Sequence, residues 1–138
     1  MKTLKFNEFL NEGATADNRY ASFFASMLAF RSQAHLYHWQ TESYAVHIAL
    51  NGFYDAYIIL ADQLAESILG KGNRPVVGKA IIELNDYSEE NVQSFIKEIY
   101  DVFRSTGLEI AGEKTEIINI IDEIIAETAK LKYLLTLK

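Results

Sequence analysis

Apolar residues recur along most of this chain at spacings of three and four, and nowhere do they alternate with polar ones over the length of a strand. That periodicity predicts helices. A first block, from about Asp17 to Trp39, carries Phe23, Phe24, Met27, Leu28, Phe30, Ala34, Leu36 and Tyr37, with Thr15 or Asp17 placed to cap it. A second, from about Ser43 to Leu69, is apolar nearly all round, including Val46, Leu50, Phe53, Tyr57, Leu60, Leu64 and Ile68. A helix of that kind should be buried among several neighbours, or covered in part by a second subunit.

The third block opens at Ser88-Glu89-Glu90-Asn91 and continues through Val92, Phe95, Ile96, Ile99, Tyr100 and Phe103 as an amphipathic surface helix. The fourth, Glu113 to about Leu137, sets Ile117, Ile120, Ile121, Ile124, Ile125, Thr128, Leu131 and Leu135 on one stripe, with Lys130, Lys132 and Lys138 complementing its C-terminal dipole. Punctuation falls between the blocks: Gly13, then Gly70, Gly72 and Gly78 around the single proline Pro75, then Gly107 and Gly112. Gly52 alone interrupts a block. The long connection Lys71 to Tyr87 keeps Val76, Val77, Ile81, Ile82 and Leu84, so part of it is expected to pack as a short helix. An all-α four-helix bundle follows.

Composition narrows the class. The 138 residues suit one domain, and 49% hydrophobic with 23% charged residues is ordinary globular usage. No cysteine is present, which removes disulfide scaffolds, thiolate metal sites and cysteine nucleophiles. Thirteen Lys and Arg against nineteen Asp and Glu give a net charge of −6 without a basic tail, so phosphate-driven nucleic-acid binding is disfavoured. No apolar run approaches the roughly 20 residues of a spanning helix, and the N-terminus lacks the apolar core of a secretory signal. No membrane association and an intracellular location are expected.

The second block holds polar residues that do not fit an apolar helix. At about 100° per residue, with His47 at zero, Asn51 falls near 40°, Asp55 near 80°, Asp62 near 60° and Glu66 near 100°. One imidazole, one amide and three carboxylates thus share a narrow stripe, where burial would require pairing or a metal. Asp62 lies fifteen residues from His47, about 22 Å along a helix, so the two cannot share an ion within one chain. An antiparallel copy crossing near Asp55 would bring His47 of one chain to Asp62 and Glu66 of the other, giving two identical sites per two-fold dimer.

The first block ends in Ala34-His35-Leu36-Tyr37-His38-Trp39. His38 and His47 would lie about 180° apart on a continuous helix, so they can meet only across a bend; Gln40-Thr41-Glu42-Ser43 supplies one, with Thr41 or Ser43 as N-cap. Imidazole and carboxylate ligands without thiolate suit iron, manganese or zinc, and the pairing of His with two carboxylates favours iron over magnesium. The intrachain di-iron pattern needs Glu-x-x-His on two helices, which this chain lacks. The alternative is a metal-free polar network that holds a dimer together.

In combination, the His-x-x-His-Trp segment, the His47 of the second helix, the Asp62-x-x-x-Glu66 pair and the Gly/Pro turn after it resemble the Dps miniferritins of the ferritin superfamily. That resemblance implies a ferritin-like four-helix bundle and a ferroxidase that oxidises and sequesters iron at sites between two-fold related subunits, in a homo-oligomer that reaches a dodecamer. By position it makes His38 and His47 the ligands from one subunit and Asp62 and Glu66 those from the other, with iron (Fe2+/Fe3+) or another divalent metal bound. It places His35 and Trp39 beside them, and Asn51 stands where the family commonly has a further aspartate; Asp55, near the proposed two-fold axis, would either pair across the dimer or face solvent around the site. No catalytic group beyond the metal ligands is implied.

The leader Met1 to Glu12 resembles the capsid-targeting peptides of T-even-type tailed phages, in which a prohead protease cuts after Leu-x-Glu. Here that implies cleavage after Leu10-Asn11-Glu12, a domain over 13–138, and a location in a bacterial host's cytoplasm or in the virion. It also implies the other reading of function, a metal-free structural or interaction protein of the capsid interior.

Overall fold

A computed structural model describes Thr3, Leu4, Ala16–Gly72 and Arg74–Leu137. The leader and its junction at Gly13 lie outside the described residues, apart from Thr3 and Leu4. Helix α1 spans Ala16–Gln40 and α2 spans Tyr44–Leu69. Helix α3 (Glu89–Val102) passes through a π-helical turn, Phe103–Gly107, into the single turn α4 (Leu108–Ala111), and α5 spans Thr115–Leu134. Two dipeptides, β1 (Thr3–Leu4) and β2 (Ile81–Ile82), pair in parallel.

The helices begin where the sequence supplies caps. Ser43 is extended and its hydroxyl accepts from the Val46 N–H, while Ser88 does the same for Asn91 at the head of α3. Glu89 and Glu90 in the first turn of α3 add favourable charge at its positive end. Gly112, at φ 57°, stops α4 and turns the chain into α5. Gly107 is not the break that its identity suggests. It lies inside a continuous helical rod, buried, where a Cβ would touch the Phe23 ring and the Ile121 side chain at 3.4–3.5 Å.

Phe23, Phe30 and Tyr37 recur every seven residues, two turns apart, and so line one face of α1. Edge-on and tilted ring contacts join Phe23 to Phe103, Phe30 to Phe103 and Phe95, and Tyr37 to Phe95 and Tyr87. As α1 advances its partners on α3 retreat, so these two helices run antiparallel. The tight bend Thr41–Ser43 makes α1 and α2 antiparallel as well, which leaves α2 and α3 parallel and joined by a long crossover. The order is up, down, down, up. The core closes around Leu50, Leu64, Ile96, Ile99, Ile117, Ile121 and Ile124, all essentially inaccessible, with α2 packed most extensively on α5 and α1.

The crossover contains no helix among its described residues, contrary to the expectation of a short one. Arg74–Ser88 is irregular except for β2. At its end, side-chain amides of α1 take the backbone groups of Asn85 and Tyr87 that a helix would have used. Gln33, itself buried, donates to the Asn85 carbonyl at 2.9 Å and accepts from the Asn85 N–H at 2.7 Å. Gln40 accepts from the Tyr87 N–H and donates to Asp86. The apolar residues expected to pack there do so only in part: Ile81 and Ile82 are half-buried, while Val76 and Leu84 are exposed. Among the described residues no helix is long and apolar enough to cross a membrane.

Candidate metal centre

The bend after Gln40 brings His38, in the last turn of α1, against His47, in the first turn of α2. Their rings stack with centroids 3.8 Å apart and planes 17° from parallel. His38 Nδ1 lies 2.9 Å from the His47 carbonyl, and His47 Nδ1 lies 2.8 Å from the His38 carbonyl. A carbonyl only accepts, so both Nδ1 atoms carry the hydrogen. In the neutral rings this leaves both Nε2 atoms with a lone pair, the tautomer a metal-ligating histidine needs.

The same contacts have a structural role. The His38 carbonyl is one of the last four of α1, without a helical partner, and the His47 ring satisfies it. His35 stands one turn before His38, its ring 4.3 Å from both the Trp39 and Tyr54 rings. Trp39 is exposed, whereas His35, His38, His47 and Tyr54 are half-buried. Tyr54 was legible in the sequence only through its seven-residue step from His47, which puts both on one face of α2. Its apolar ring reads as core, but part of it faces His35.

The carboxylates of the stripe are elsewhere. Asn51, Asp55, Asp62 and Glu66 are all exposed on the outer face of α2. The only hydrogen bond among them is a long one, 3.4 Å, from Asn51 to Asp55. Neither Asp62 nor Glu66 has a hydrogen bond or ion pair among the described residues. Asp62 instead lines a shallow, mainly apolar groove between α1 and α2, with Leu28, Arg31 and Ile58. Leu28 is more than half exposed there. Burial of the stripe, which the apolar helix suggested, does not occur among the described residues. Among the described residues no group of three or more His, Asp or Glu side chains is placed to hold a metal.

In the core two tyrosines differ. Tyr57 donates to the Met27 carbonyl at 2.8 Å, and burial raises its pKa. Tyr37 has no partner for its buried hydroxyl among the described residues, and burial, with the negative charges of Glu98 and Asp86, pushes its pKa up to about 12.

A family model described as a family of unknown function, DUF5856, matches residues 38–135. The chain belongs to that family. The matched region of this DUF5856 protein starts at His38 and includes His47, Asp62 and Glu66, together with α2, the crossover and the remaining helices; His35 falls before it. No curated protein and no solved structure matches the chain.

Proposed function

We propose that this DUF5856 protein is a ferritin-like, Dps-type ferroxidase that assembles as a homo-oligomer built on two-fold dimers. In each site His38 and His47 come from one protomer and Asp62 and Glu66 from its partner. The observation that carries this reading is the tautomer of the two imidazoles: when neutral, both present a free Nε2, while Asp62 and Glu66, without a partner among the described residues, lie about 22 Å and about 28 Å beyond His47 along α2. The up-down-down-up order with a single long crossover is the ferritin-like connectivity, and it supports the same reading.

Ferrous iron is the substrate. The residues act as ligands and not as acid or base: the imidazoles supply neutral donors, the carboxylates supply charge, and Asn51 contributes no charge of its own. Two ferrous ions each give up one electron, and one peroxide accepts both, with two protons, to leave as two waters; dioxygen is the other candidate oxidant. Closure of dimers into a twelve-subunit cage would turn oxidation into storage.

One observation favours a second reading. The reciprocal hydrogen bonds of His38 and His47 close the α1–α2 corner without any metal, as expected of a structural or interaction protein packed inside a phage head. Anaerobic ferrous titration of metal-stripped protein, followed by peroxide or air, decides between them. Saturable binding and fast oxidation, both lost in Asp62→Ala, support the ferroxidase; binding no greater than that of the variant supports the scaffold.

A further inference from the structure

Gly52 has no explanation among the described residues of its own chain. It sits in the middle of α2, where glycine weakens a helix, yet it is exposed and a Cβ there would meet nothing within 4 Å. It borders an open groove of ≈ 470 Å³ between α2 and α5, lined on the α2 side by Tyr44, Ile48 and Phe53. Two of those side chains, Tyr44 and Ile48, are 77% and 49% exposed, and seven residues beyond Gly52 stands Ile59, 60% exposed. By helical geometry Ile48, Gly52 and Ile59 lie within about 40° of one another, on the α5 side of the polar stripe.

We infer that Gly52 and Ile59 set the register of a two-fold pairing of α2 with α2 of a second copy of this chain, Ile59 of each copy seating over Gly52 of the other. The inference rests on the intersubunit reading above and supplies the contact that reading lacks. Ile59 lies four residues to one side of Asp55, about 6 Å, and Gly52 three residues to the other, about 5 Å. An antiparallel copy with Asp55 on the axis therefore superposes them, the missing side chain of Gly52 providing the hole and Ile48 and Phe53 its walls.

The same operation has an independent consequence on the opposite edge of the stripe: it sets His47 level with position 63 of the partner, between Asp62 and Glu66. Lys130, on the far side of the groove from Ile48, then comes near the acidic half of the partner's stripe. One register thus fills the groove, accounts for the glycine and completes the candidate site. The two Asp55 carboxylates meet on the axis and oppose the pairing.

Sedimentation of the full, metal-stripped chain tests this without iron. Gly52→Ile should raise the dimer dissociation constant at least tenfold, and so should Ile59→Gly, with far-UV circular dichroism unchanged. The doubly exchanged chain, Gly52→Ile with Ile59→Gly, restores a hole opposite a side chain and should recover most of the loss; Asp55→Asn should dimerise more tightly than the parent. A monomeric parent, a Gly52→Ile chain that dimerises normally, or an exchange that recovers nothing would each overturn the register. Ferrous oxidation is scored separately: a dimer that obeys the exchange but oxidises no iron keeps the register and removes the ferroxidase, and the converse result removes only the register.

Discussion

His38 and His47 each commit one ring nitrogen to the backbone carbonyl of the other, across nine residues of sequence and one helical corner. Two roles meet in that arrangement. The bonds fasten α1 to α2, and they also hold both rings in the one neutral tautomer that leaves Nε2 open. Long-range ¹⁵N–¹H spectra of the metal-free protein should show a protonated Nδ1 and an unprotonated Nε2 in both residues. His47→Ala should destabilise the fold by about 1 kcal/mol, since it removes one bond and leaves a helix-end carbonyl to water. The double variant with His38→Ala should cost less than the sum of the two, because the stack and its bonds are shared.

Asp62 and Glu66 should prove indifferent to stability. Both are exposed and neither is paired among the described residues, so each alanine variant should unfold within about 0.5 kcal/mol of the parent in urea. Loss of ferrous oxidation at unchanged stability would identify them as functional groups. A large drop in stability would identify them as part of a structural network.

The crossover depends on Gln33. Its amide imitates a neighbouring strand by bonding both the N–H and the C=O of Asn85. Gln33→Leu keeps the apolar stem but strands two backbone groups, so it should cost about 2 kcal/mol. Amide exchange should quicken at Asn85 and Tyr87 well before it does in the α1–α2 core.

Tyr37 and Tyr57 predict opposite outcomes for the same change. Tyr57→Phe loses the bond to Met27 and should cost about 1 kcal/mol. Tyr37→Phe removes a buried hydroxyl that has no partner among the described residues, so stability at neutral pH should hold or rise. Because the folded-state pKa of Tyr37 is raised to about 12 from 10.0, the unfolded chain ionises first. The stability this group contributes is complete below pH 10 and is lost as pH climbs through 12. Denaturation series from pH 8 to about 11 should therefore show Tyr37→Phe gaining on the parent with rising pH.

Local rules in the sequence determined a good deal. Periodicity located four helical blocks, Ser43 and Ser88 marked two helix starts, and Gly112 marked a stop, because propensity and capping act over a few neighbouring residues. The bend that allows His38 to meet His47 was legible for the same reason. So was the separation of Asp62 from His47, because helical rise depends on residue count alone.

Only the tertiary structure decided the rest. Gly107 reads as a break but is buried against Phe23 and Ile121, because the approach of α1 and α5, and not local propensity, fixes the conformation there. The apolar crossover reads as a helix but is irregular, and at its end Gln33 and Gln40, more than forty residues upstream, take the backbone groups of Asn85 and Tyr87. The stripe of α2 reads as interior but faces outward, because hydrophobicity counts the apolar residues of a helix without saying how many neighbours one chain can offer them. The tautomers of His38 and His47 were beyond any pattern, since a ring nitrogen's state depends on which carbonyl the fold brings to it.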